Sequence, residues 1–254
     1  MLDDWATDRS DQPLIESFVD IQRPGGVMDT FVVHPDEQGP FPVVLFLMDA
    51  PGMREELRMM SRRIASSGYY VMAPQLYYRQ VSEFNVFETG DRDRMFELMD
   101  ALSNQMVDDD VGAMIATAQD SDAANADRVA TVGYCMSGPF AITAAAAHPN
   151  RIKAAASIHG VRLAIDTDDS PHKQLGQMNA EIYVGAAEQD EYAPPEMIES
   201  FSNAMADAGA RGRVEWYPGT EHGFAFAERP QYHMPSSERH WERLHSLFRR
   251  NLYS

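Results

Sequence analysis

The segment Val132-Gly133-Tyr134-Cys135-Met136-Ser137-Gly138 limits what this chain can become more than any other stretch. Apolar residues lead into it, giving a strand over 128–134, and small residues lead out from Pro139 to Ala147, giving a helix over 136–147. A strand passes into a helix through so short a turn only if the turn is strained, and the flanking glycines permit that strain. The residue at the apex is then held clear of the sheet end, the arrangement that presents a nucleophile. Here that residue is Cys135, the one cysteine of the chain.

The remaining pattern supplies a sheet for this turn. Two alternating runs, 14–23 and 27–34, flank Pro24-Gly25-Gly26 and predict an antiparallel hairpin. The continuous apolar run 41–48 fits a strand buried on both faces. Helices and strands then alternate. Helices are expected over 53–67, 91–105, 111–119, 195–208 and 236–252, and strands over 69–73, 152–158, 181–186 and 214–217. Residues 75–90 read as an irregular aromatic stretch, a lid or a wall, with Tyr77, Tyr78, Phe84 and Phe87. The alternation predicts a mostly parallel sheet with helices on both faces, in a single domain over 1–254. Ligands bind such sheets beyond the carboxyl ends of the strands.

Those ends carry the chemistry. They are followed by Asp49-Ala50-Pro51-Gly52, Leu76-Tyr77-Tyr78-Arg79, Cys135, Glu188-Gln189-Asp190 and Gly219-Thr220-Glu221-His222-Gly223. A thiol with a pKa near ~8.5 needs a base or a positive neighbour to act at neutral pH. His222 can take and return a proton, and Asp190, with Glu188 as its rival, can fix the imidazole tautomer. The order nucleophile, acid, base is kept along the chain. The backbone N–H groups of Met136 and Ala50 are the expected oxyanion donors. His233, His240 and His245 match no standard zinc spacing, so no metal is expected. The clusters Asp108-Asp109-Asp110 and 166–169 read as solvated loops or caps.

Charge narrows the partners. The chain of 254 residues has 21 basic and 39 acidic side chains, a formal net charge of −18. That disfavours nucleic acid and anionic membrane surfaces. A lone cysteine cannot form an internal disulfide, the start Met1-Leu2-Asp3-Asp4-Trp5 is acidic, and no run has the ~18 apolar residues of a membrane span. A soluble, cytoplasmic protein is expected, monomer or homodimer.

The motifs Gly133-Tyr134-Cys135-Met136-Ser137-Gly138, Glu188-Gln189-Asp190 with Pro194, Glu221-His222-Gly223-Phe224-Ala225 and Leu76-Tyr77-Tyr78-Arg79 together resemble the dienelactone hydrolase family of α/β-hydrolases. The similarity runs from about Thr30 to the C-terminal helix. It implies the α/β-hydrolase fold, a Cys135-Asp190-His222 triad, no cofactor, no metal and a small ester or lactone as substrate. Three departures stand out. Ser137 replaces a common glycine. Asp49 stands where the type enzyme has a glutamate beside its thiol. Arg79 matches one of two carboxylate-binding arginines, but Phe226 occupies the place of the other, four residues past His222. Unless Arg229 reaches the site, one carboxylate anchor is lost, about 1.5–3 kcal/mol. Asp49, Arg79, Tyr134 and Phe226 are thus expected beside the thiol or the substrate. The leading expectation is a cysteine hydrolase working through an acyl-thioester. The alternatives are a hydrolase of larger substrates, or a non-catalytic ligand-binding or thiol redox-sensing protein.

Overall fold

The computed structural model describes residues 13–253. The acidic start Met1–Trp5 lies outside the described residues. Eight strands form one sheet: β1 (Leu14–Arg23), β2 (Gly26–Pro35), β3 (Phe41–Leu47), β4 (Tyr70–Pro74), β5 (Ala124–Tyr134), β6 (Ile152–Ile158), β7 (Glu181–Gln189) and β8 (Gly212–Glu221). Their order is β1-β2-β4-β3-β5-β6-β7-β8. The hairpin β1–β2 is antiparallel and joins β4 antiparallel, while every other neighbour pair is parallel. β3 and the second half of β5, residues 129–134, lie at the centre and are buried, as their largely apolar runs require.

The helices are α1 (Glu55–Ala65), α2 (Val86–Thr89), α3 (Arg92–Asp100), α4 (Asn104–Gln119), α5 (Gly138–Ala147), α6 (Pro171–Gln174), α7 (Pro195–Asp207) and α8 (Met234–Leu252). The chain goes back from β3 through α1 to β4, then forward from β4 through α4 to β5. Right-handed crossovers in opposite directions put α1 and α4 on opposite faces. Arg63 of α1 pairs with Glu238 of α8 across one face, and Thr143 of α5 donates to Asp108 of α4 across the other. Among the described residues no helix is long and apolar enough to cross a membrane.

Strands β5, β7 and β8 run longer than expected, and 86–89 is helical within the stretch expected to be irregular, but one difference in helix boundaries changes the reading of a side-chain cluster. The break between the two helices after residue 90 lies at 101–103, not within 106–110. The Ser103 hydroxyl accepts from the Met106 N–H and caps α4. The acidic cluster therefore lies inside a helix, and two of its members point inward. Asp110 is fully buried and accepts from Arg79, Arg23 and the Tyr78 hydroxyl at 2.8–2.9 Å. Asp108 is nearly buried and accepts from Thr143. Their partners are remote in the chain, which is why a local reading took them for solvated acids.

Candidate active site

The turn after β5 forms as expected and is fixed by close backbone approach. Cys135 has φ of 54°, in the left-handed region. A β-carbon at Gly133 would lie 1.9 Å from the Ser137 carbonyl oxygen, so no other residue fits there. Residues 135–137 make a turn of 3₁₀ helix before α5 begins at Gly138. The end of β6 closes on this turn, with the Val161 N–H donating to the Cys135 carbonyl at 3.1 Å. Ser137, far from loosening the turn, donates its hydroxyl to the Met48 carbonyl at the end of β3.

The strand ends after β7 and β8 bring the other two residues together. Asp190 Oδ2 accepts from His222 Nδ1 at 2.7 Å. Asp190 Oδ1 accepts from the N–H groups of Tyr192 and Ala193, which aim the carboxylate. The carboxylate acceptor assigns the Nδ1–H tautomer, leaving Nε2 for the sulfur. Glu188, the rival acid, is exposed and accepts from the Gly219 N–H, holding the histidine loop instead. His222 and the Cys135 sulfur lie close enough to interact electrostatically and line the same cavity. Burial alone would lower the histidine pKa, but Cys135 and Asp190 outweigh it and push it up to about 10. The site therefore favours an imidazolium between a sulfur and a carboxylate.

The loops bearing Ala50 and Met136, the expected oxyanion donors, meet around Tyr77. Its hydroxyl donates to the Ala50 carbonyl at 2.8 Å and touches the Met136 sulfur at 3.2 Å. Burial, with the negative Asp49 and Cys135 nearby, raises its pKa and keeps it a donor. Gly52, with φ of 96°, turns the loop sharply; a β-carbon there would meet the Phe84 carbonyl at 2.1 Å. The sequence pointed to Tyr77 as lid or wall, and it is instead a brace between the two loops expected to hold the oxyanion.

Four expected neighbours of the thiol or substrate lie elsewhere. Arg79 does not line the cavity. It pairs with Asp110 behind the hairpin turn, with its guanidinium 4.4 Å from the Tyr78 ring centroid. Tyr134 is fully buried beneath the turn, its hydroxyl 3.2 Å from His240 Nε2. Phe226 is fully buried, with the guanidinium carbons of Arg54 and Arg229 at 5.0 and 4.6 Å from its ring. Asp49 is fully buried and gives both carboxylate oxygens to arginines, Oδ1 to Arg54 at 2.6 Å and Oδ2 to Arg229. Arg54 also binds Glu56 at 2.6 Å, and Glu56 accepts from the Glu228 N–H. This four-charge cluster ties the loop after β3 to the loop after β8. Asp49, one methylene shorter than glutamate, is thus engaged by two cations.

His159 escaped the sequence reading. It follows β6 with φ of 38°, is fully buried, and lies 4.8 Å from the His222 ring, with Tyr192 at 5.0 Å also against His222. Burial, and then His222 and Arg229, hold its pKa well below the usual value, so it stays neutral. Its position just past a strand end, before Gly160, was the available signal. His233 and His240 bond to Ser236 and to Ser237 and Tyr134. Among the described residues no three His, Cys, Asp or Glu side chains gather as a metal site.

Cys135, His222, Ala50, Tyr192 and Arg229 line one cavity of about 350 Å³. Its far wall is Val86, Phe87, Met95, Phe96 and Met99 of α2 and α3. Cys135, His222 and a cavity large enough for a small molecule thus share one sheet end.

The model of the dienelactone hydrolase family matches residues 28–252. The chain belongs to that family. It is 28% identical over 246 residues to a protein of Escherichia coli K12 named "Putative carboxymethylenebutenolidase", spanning 94% of this chain and 88% of the relative. It is 22% identical over 251 residues to the carboxymethylenebutenolidase of Rhodococcus opacus, spanning 96% of each. Among solved structures it is similar to a protein of Klebsiella pneumoniae subsp. pneumoniae MGH 78578 titled "Putative Dienelactone Hydrolase", with TM-score 0.85, 26% identity, and coverage of 93% of this chain and 98% of that one. The α/β-hydrolase fold and membership of a hydrolase family are thereby established for this chain.

Proposed function

We propose that this member of the dienelactone hydrolase family hydrolyses a small ester or lactone through an acyl-thioester on Cys135. The Cys135 sulfur, as thiolate, attacks the carbonyl carbon. The carbonyl oxygen takes the negative charge and receives the N–H groups of Ala50 and Met136. As the tetrahedral intermediate collapses, the carbon–oxygen bond breaks and imidazolium His222 gives its Nε2 proton to the leaving oxygen. Neutral His222 then takes a proton from water. The hydroxide attacks the thioester carbonyl, the carboxylic acid forms, and the thiolate leaves beside a recharged imidazolium. Asp190 holds the tautomer throughout and stabilises the imidazolium.

The observation that carries this reading is the His222–Asp190 bond at 2.7 Å, with His222 and Cys135 lining the same cavity. Intact-mass spectrometry after mixing with p-nitrophenyl acetate tests it. An acetyl adduct located on Cys135, absent in Cys135→Ala, is expected, with turnover lost in the variant. Full esterase activity in Cys135→Ala would sink it. The thiol-sensor alternative predicts oxidation of Cys135 by peroxide with no ester turnover, so the same measurement separates the two.

A further inference from the structure

We infer that the substrate is an uncharged ester or lactone with an apolar body, accommodated against Met95 and Met99 of α3. The inference rests on the hydrolase reading of the site and concerns what fills the chamber beside the thiol.

Three observations support it. First, the wall facing Cys135 is apolar: Val86, Met95 and Met99 are buried or partly buried, with Phe87 and Phe96 at its rim. A carboxylate pressed against such a wall would lose its hydration without gaining a partner. Flexible thioether side chains suit an apolar group of variable shape.

Second, the cations are largely committed. Three basic side chains line the chamber: His222, Arg92 and Arg229. His222 is held by Asp190. Arg229 is bound to Asp49, its Nε is sealed from solvent, and its guanidinium lies 4.6 Å from the Phe226 ring and 5.7 Å from that of Phe87. With Arg54 and Glu56 it belongs to a cluster of two positive and two negative side chains. Arg92 is exposed at the start of α3, where water screens it. Arg79 is tied to Asp110.

Third, the whole molecule is strongly acidic, with a formal charge of −18. Its field repels an anion approaching the cavity and leaves a neutral ester unaffected.

A matched pair of esters tests this: p-nitrophenyl pentanoate and the p-nitrophenyl hemiester of glutaric acid, which differ essentially by a terminal carboxylate. Calorimetric binding to Cys135→Ala reads the inference whether or not the native thiol acylates. Acyl-adduct formation on the native protein reads the hydrolase reading separately. We expect pentanoate to bind at least ~tenfold tighter, and kcat/KM for the hemiester to rise with added salt as repulsion is screened. Met99→Trp, which fills the wall, should weaken pentanoate binding about tenfold relative to p-nitrophenyl acetate. Met99→Ala, which enlarges the chamber, should move the preference toward longer chains. Equal or tighter binding of the hemiester overturns the inference, as does a hemiester preference that Arg92→Gln abolishes.

Discussion

Cys135 is held by backbone: Gly133 against Ser137, Val161 against the Cys135 carbonyl, β3 and β6 on either side. The wall opposite, α2 and α3, presents side chains, two of them (Phe87 and Phe96) exposed by 59% and 38%. One side of the cavity fixes an atom to a fraction of an ångström, and the other offers adaptable surface. Chemistry demands the first, because a misplaced nucleophile loses rate steeply. Selection among substrates needs only the second, where a changed side chain alters fit without disturbing the reacting atoms.

The sharpest way to break this contrast is to strike each side once. Gly133→Ala places a methyl where the Ser137 oxygen already sits. Denaturant titration should show a loss above about 4 kcal/mol, or no folded protein. Phe87→Ala, on the exposed wall, should cost under about 1 kcal/mol in the same titration. Comparable losses would mean that the two sides are not built differently.

Asp190→Asn comes next. It keeps the shape but offers His222 an amide, so the wrong tautomer can form. A fall in kcat of roughly 10³–10⁴-fold with a small change in KM is expected from steady-state kinetics. A companion measurement follows the imidazole of His222 by nitrogen-15 NMR. Its pKa, pushed up to about 10 in the native protein, should fall in Cys135→Ala, where the sulfur is gone and burial acts against Asp190 alone. An unchanged value would show that the carboxylate alone accounts for the shift.

Tyr77→Phe removes the bond to the Ala50 carbonyl and should lower stability by about 1–3 kcal/mol and kcat by about tenfold. Activity untouched by that change would detach the brace from the oxyanion side. A further effect is expected behind the turn. Burial raises the Asp108 pKa from 3.8 up to about 7. The folded chain then binds more protons than the unfolded chain between those values, so stability falls as pH rises across the window. Asp108→Asn should raise the melting temperature at pH 8 by several degrees more than at pH 4.

The parts built from neighbouring residues were legible in the sequence. Gly133 to Gly138 announced its turn because strain and small side chains are local properties. Strand ends announced Asp190 and His222 because a parallel sheet delivers every strand to the same edge. What stayed hidden were pairings across the chain. Asp110 looked solvated because Arg23 and Arg79 come from other elements. Tyr134 and Phe226 adjoin the site in sequence yet turn beneath it, since which side of a sheet end a ring takes depends on packing with His240, Arg54 and Arg229. Arg229 was legible only as a possibility, and its real partner, Asp49, had been assigned to the thiol.

The strand that leads to His222 lies at the margin of the sheet. Among the described residues β8 pairs with β7 on one side and with no strand on the other. It is clasped from α8 by Arg239 and Arg243, which meet at Glu215. Margins open more readily than centres, so the loop bearing His222 is set to withdraw while β3 and β5 still hold Cys135 in place. Heating should therefore abolish ester hydrolysis before the far-UV circular dichroism signal is lost, with Cys135 still held while the loop of His222 has moved away.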